Sequence, residues 1–81
     1  MSIQVKFFAS MRDIMGDDQE ISTEILAQQS LKNVDDVWSY CANGKDRPGN
    51  VLIAVNMDYV DGLSLIKDGD EVAFFPPVTG G

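Results

Sequence analysis

The stretch Asp68-Gly69-Asp70-Glu71-Val72-Ala73-Phe74-Phe75-Pro76-Pro77-Val78-Thr79-Gly80-Gly81 holds a turn, a strand, a strand terminator and an extended arm. Lys67-Asp68-Gly69-Asp70 reads as a tight turn, and Glu71 to Phe75 as the last strand. Val72 and Phe74 face one way along it, Ala73 and Phe75 the other. Pro76 and Pro77 have no amide hydrogen to give to a ladder, so the sheet must stop and the chain must leave it extended. From Pro76 to Gly81 the arm reaches about 20 Å at roughly 3.3 to 3.6 Å per residue, enough to enter a cleft on another protein. The diproline stiffens the exit and lowers the entropy lost on docking, while two glycines without side chains suit a narrow channel. This divides the chain into a folded domain over residues 1–75 and an arm over 76–81.

Working back from the arm, the alternation of Ile3, Val5 and Phe7 with Gln4, Lys6 and Phe8 predicts a half-buried first strand. Ser10 is expected to cap a short helix carrying Met11, Ile14 and Met15, with Gly16 as its stop. Ile21, Thr23 and Ile25 alternate with Glu20, Ser22 and Glu24, which predicts a second strand antiparallel to the first. Leu26 to Lys32 reads as a connection. Asn33 with Asp36 forms a start signal, and Val34, Val37, Trp38 and Cys41 recur at helical spacing, so the main amphipathic helix lies here and ends at Asn43-Gly44. Arg47-Pro48-Gly49 signals a turn. Val51 to Val55 is apolar on both parities, as expected of a central strand. Asn56-Met57-Asp58 turns the chain, Tyr59 and Val60 form a short edge strand, and Leu63, Leu65 and Ile66 are expected to tuck a connection against the core. A helix crossing a mixed sheet of about five strands, with first and last strands side by side, is an α+β arrangement of the β-grasp, ubiquitin-like type.

An 81-residue chain has room for one modest core, and 44% hydrophobic with 23% charged residues fits a globular fold. Thirteen acidic against six basic residues give a net charge of −7. That sign repels phosphate backbones and anionic lipid, so neither nucleic acid nor a membrane is an expected partner, and a protein partner should present a basic surface. The longest apolar run is too short to cross a bilayer, and Met1 to Ala9 lacks the features of a secretory signal. A single cysteine, Cys41, permits no intrachain disulfide and fits the reducing cytoplasm.

The inventory of catalytic groups is thin. There is no histidine, so no Ser-His or Cys-His pair exists. Cys41 falls on the apolar helix face and reads as a packing residue. Asp17-Asp18 and Asp35-Asp36 lack the further ligands of a calcium loop, and no metal or cofactor is expected to be bound by this chain. What remains is the terminal carboxylate of Gly81, inert until another enzyme activates it. Phe8 and Phe75 fall on the polar parity of neighbouring strands, which places two aromatics on an outward patch that Tyr59 extends.

Phe7-Phe8-Ala9 with Arg12 and Gly16, Ala54-Val55-Asn56, and the fourteen residues from Asp68 to Gly81 closely resemble the small, sulfur-carrier subunit of molybdopterin synthase. The resemblance implies that an adenylyltransferase similar to ubiquitin-activating enzymes uses ATP to adenylate Gly81, which is then converted to a thiocarboxylate. Its sulfur would pass to a pterin precursor within the large synthase subunit, with catalytic lysines and the pterin pocket belonging to that partner. Pro76, Pro77, Val78, Thr79 and Gly80 would form the inserted arm, and Phe8, Tyr59 and Phe75 would face the large subunit in a heterotetramer. Carriers for thiamine thiazole or tungsten cofactor synthesis share this tail chemistry, and a ubiquitin-like modifier is the alternative of a different class.

Overall fold

The computed structural model describes residues 1–45, 47 and 49–76. The expected turn at Arg47-Pro48-Gly49 falls partly outside these residues, and Pro77, Val78, Thr79, Gly80 and Gly81 lie wholly outside them. Eight elements follow in order: β1 (Ser2–Phe7), α1 (Ser10–Met15), β2 (Gln19–Ser22), α2 (Thr23–Gln28), α3 (Val34–Cys41), β3 (Leu52–Val55), β4 (Asp58–Val60) and β5 (Glu71–Phe75). The strands form one sheet in the order β2-β1-β5-β3-β4. β1 and β5 run parallel, with Val5 beside Val72 and Phe7 beside Phe74, while the other pairings are antiparallel. This is the expected β-grasp.

Strand alternation decides what the sheet buries. Ile3, Val5, Phe7, Ile21, Ile53, Val72 and Phe74 all point to one face and are buried, where Val34, Val37 and Trp38 of α3 meet them. Phe7 stacks on Phe74 with ring centres 5.8 Å apart, and Trp38 meets Phe74 edge-on at 5.0 Å. α3 begins as its sequence signal requires. Asn33 Oδ1 accepts from the Asp36 amide at 2.9 Å, and Asp36 Oδ2 accepts in return from the amides of Asn33 and Lys32, closing a capping box.

Four expectations need correction. The second strand does not run through Ile25: Ser22 caps a helix instead, its hydroxyl accepting from the Ile25 amide at 3.3 Å, so part of the expected connection is α2. Ile25 and Leu26 pack against the core from that helix rather than from a strand. Ser10 is the first residue of α1 rather than its cap, and no side chain caps that helix. β3 is interior but not central, since β5 occupies the middle of the sheet. Leu63 and Leu65 are 74% and 75% exposed, and of that connection Ile66 alone packs against the core. The segment is held by backbone bonds to the start of α3, from Val34 N to Ser64 O and from Ile66 N to Lys32 O, which turn alternate residues outward.

Candidate functional site

The sheet face opposite the helices should be polar, yet along β1, β5, β3 and β4 it carries Phe8, Phe75, Leu52, Ala73, Ala54 and Tyr59. Strand register brings them together. Phe75 stands opposite Leu52, and Ala54 lies between Ala73 and Tyr59. Phe75 meets Phe8 edge-on at 6.1 Å and Tyr59 at 5.7 Å, so the three aromatics expected to form an outward patch are one contiguous cluster. Phe8 is 47% and Tyr59 70% exposed, and neither a helix nor the 63–66 connection covers them. Pro76, the last described residue, follows directly after Phe75 at the edge of this patch. The roles expected for Pro77 to Gly81 fall on residues outside those described.

Local bonding fixes the two rims. At one side the Phe7 amide donates to Asp18 Oδ1 at 2.9 Å and the Phe8 amide donates to Phe74 O at 3.0 Å. Ala9 then turns the chain with φ 51° and ψ −128°, a conformation costly for a residue with a Cβ. At the other side Val55 pairs with Asp58, leaving a two-residue hairpin loop of Asn56 at φ 52° and Met57 at φ 73°. Two successive positive φ values are the signature of a type I′ turn, whose twist suits the flanking strands.

Asn56 is held there by a network. Its amide donates to Glu71 O at 2.8 Å, its Oδ1 accepts from the Glu71 amide at 3.0 Å, and its Nδ2 donates to Asp70 Oδ1 at 2.9 Å. Asp70, a buried carboxylate, accepts from the Lys67 amide with its other oxygen. Among the described residues five non-glycine residues have positive φ: Ser30 and Asn43 follow helix ends, whereas Ala9, Asn56 and Met57 border the aromatic face. Strained backbone is tolerated where surrounding bonds over-determine it.

Between the rims lies a hollow of about 240 Å³, floored by the small residues Ala54 and Ala73 and walled by Phe8, Tyr59, Phe75 and Met57. Glu71 closes one end. Strand parity points to Phe8 and Phe75 and the edge-strand position to Tyr59, but neither points to Glu71, Met57 or Ala9. The signals were present: Glu71 shares the parity of Ala73 and Phe75, and Met57 sits in a two-residue connection between strands.

Other features offer less. A hollow of about 390 Å³ beside α3 is lined by Asp35, Trp38, Ser39 and Arg47. Its guanidinium is already engaged, Nε with Asp35 Oδ1 at 3.1 Å and Nη1 with Val51 O at 3.3 Å. Cys41 packs partly against the core, and burial pushes its thiol up to about 11, the opposite of what a nucleophile needs. Among the described residues no three His, Cys, Asp or Glu side chains are grouped to hold a metal ion, and no helix is long and apolar enough to cross a membrane.

The candidate site is therefore an exposed aromatic face next to Pro76, and the whole chain is similar to known proteins. The ThiS family matches residues 5–81. A molybdopterin synthase sulfur carrier subunit of Escherichia coli is 41% identical over 98% of this chain and 99% of its own length. A putative molybdopterin converting factor, subunit 1, from Pyrococcus furiosus superposes with a TM-score of 0.72 at 32% identity, covering 96% of this chain and 99% of that one. A chain in the complex of subunits 1 and 2 of the molybdopterin-converting factor from Helicobacter pylori superposes with a TM-score of 0.54 at 28% identity, over the full length of both chains. Match and topology together place this β-grasp chain in the ThiS family, as a relative of the molybdopterin synthase sulfur carrier subunits.

Proposed function

We propose that this chain is a sulfur carrier in molybdenum cofactor synthesis and acts in the cytoplasm. The observation that carries the reading is the nearly end-to-end match to a sulfur carrier subunit of molybdopterin synthase, joined to an aromatic face that borders the start of the arm. An adenylyltransferase related to ubiquitin-activating enzymes uses ATP to convert the Gly81 carboxylate to an acyl-adenylate. Sulfide-level sulfur from a donor attacks the acyl carbon, the carbon–oxygen bond to AMP breaks as the carbon–sulfur bond forms, and a thiocarboxylate is left. Phe8, Tyr59 and Phe75 then dock on the large synthase subunit, while Pro76 to Gly80 lead Gly81 to the pterin precursor held there. The chain supplies no acid, base or cofactor of its own; its contribution is to position a reactive end. The Helicobacter pylori complex supports a large-subunit partner by analogy.

Intact-mass measurement after incubation with the activating enzyme, ATP and a sulfur donor tests this. One C-terminal oxygen should be replaced by sulfur, and a chain lacking Gly81 should melt normally yet transfer none. An unchanged mass, in a reaction where the activating enzyme thiolates a known carrier, overturns the proposal. Conjugates joined through Gly81 to lysines of other proteins would instead assign it as a modifier.

A further inference from the structure

Resting on that reading of the docking face, we propose that the hollow at its centre receives one arginine side chain from the partner, paired with Glu71. Apolar contact alone would not place a carboxylate here. Among the described residues Glu71 is the one charged group lining the hollow, and it stands at the end opposite Phe8 and Phe75, four residues along the same strand. Ala54 and Ala73 keep the floor low, so a long aliphatic stem can lie along it between Met57 and Tyr59 with its cationic head at Glu71.

Arginine fits this combination better than lysine. Its planar, weakly hydrated guanidinium stacks on aromatic faces and meets a carboxylate with two parallel donors, whereas an ammonium is a compact, strongly hydrated charge. The chain's net charge of −7 favours approach of such a partner.

Glu71 already has a resident cation. Lys6 Nζ lies 3.5 Å from Glu71 Oε2, diagonally across the β1–β5 pair, with the two side chains 39% and 42% exposed. An ion pair so open to water holds weakly and yields to a better-formed one. Lys6 therefore stands where the partner's guanidinium would pair and competes with it.

The test is calorimetric titration of the large molybdopterin synthase subunit with the intact chain at low and at high NaCl. Glu71→Gln should weaken binding at least tenfold at low salt and flatten its salt dependence, while Lys6→Met should tighten binding by releasing Glu71. One arginine of the large subunit, replaced by lysine, should weaken binding to the natural chain but not to the Glu71→Gln variant. Phe75→Asp is the control for the face itself. If Phe75→Asp abolishes binding while Glu71→Gln binds normally at both salts, or if no partner arginine couples to Glu71, the arginine pocket is wrong and the docking face stands. If Phe75→Asp binds normally, or the natural chain does not bind the large subunit, face and pocket fall together. Thermal melts matching the natural chain show that Glu71→Gln and Lys6→Met are folded.

Discussion

Phe74 and Phe75 are adjacent in sequence and face opposite sides of β5, so truncating each to alanine separates what holds the domain together from what it presents. Phe74 has no exposed surface, stacks on Phe7 and is met edge-on by Trp38. Burying such a side chain contributes about 1.5–3 kcal/mol, and each aromatic pair adds about 0.5–1.5 kcal/mol. Phe74→Ala should therefore cost about 3–5 kcal/mol, as large truncations in cores do. A chain of 81 residues is stable by only about 4–12 kcal/mol at roughly 0.05–0.15 kcal/mol per residue. The variant should melt at least 12 °C lower, at about 4–8 °C per kcal/mol, or fail to fold at all. Phe75 is half-buried and its ring contacts lie on the open face, so Phe75→Ala should cost about 1 kcal/mol. Urea unfolding followed by the fluorescence of Trp38, the single tryptophan, measures both. Equal losses for the two variants, or a loss under about 1 kcal/mol for Phe74→Ala, would refute the assignment of faces.

Three further outcomes follow from the geometry. Ala9→Gly should raise stability by about 1 kcal/mol, because relief of strain at φ 51° exceeds the extra unfolded-state freedom of glycine; a lower melting temperature would show that the turn is not strained. Asn33→Ala removes the acceptor for the Asp36 amide and should cost about 1 kcal/mol in a thermal melt, with no loss meaning that the capping box is idle. Because burial lifts the Cys41 thiol from 9.0 to about 11, the native state keeps its proton between those values while the unfolded chain loses it. Stability should thus fall as pH rises from about 9 to 11, and Cys41→Ala should remove that part of the slope in urea titrations at successive pH values; an unchanged slope would show that the thiol is not desolvated.

The sequence by itself determined the features that depend on local spacing. Period-two alternation fixed β1 and the opposed faces of Phe74 and Phe75, helical spacing after an Asn33–Asp36 start fixed α3, and the diproline fixed where the last strand stops. Parity also put Phe8 and Phe75 on one expected outward patch, extended by Tyr59 on the edge strand, since strand faces follow from residue count once neighbouring strands are known. Tertiary structure decided what local signals leave balanced. Ile21 to Ile25 alternates as a strand would, but Ser22 caps α2 and Ile25 reaches the core from that helix. Leu63 and Leu65 look like core residues by type, yet backbone bonds to the start of α3 turn them outward. Val51 to Val55 is apolar on both parities because one face meets the helices and the other lies on the aromatic face, not because β3 is the middle strand. The hollow at Glu71, its low alanine floor and the strained turns at Ala9 and Met57 join residues far apart in the chain. Only the packing of four strands into one face brings them together.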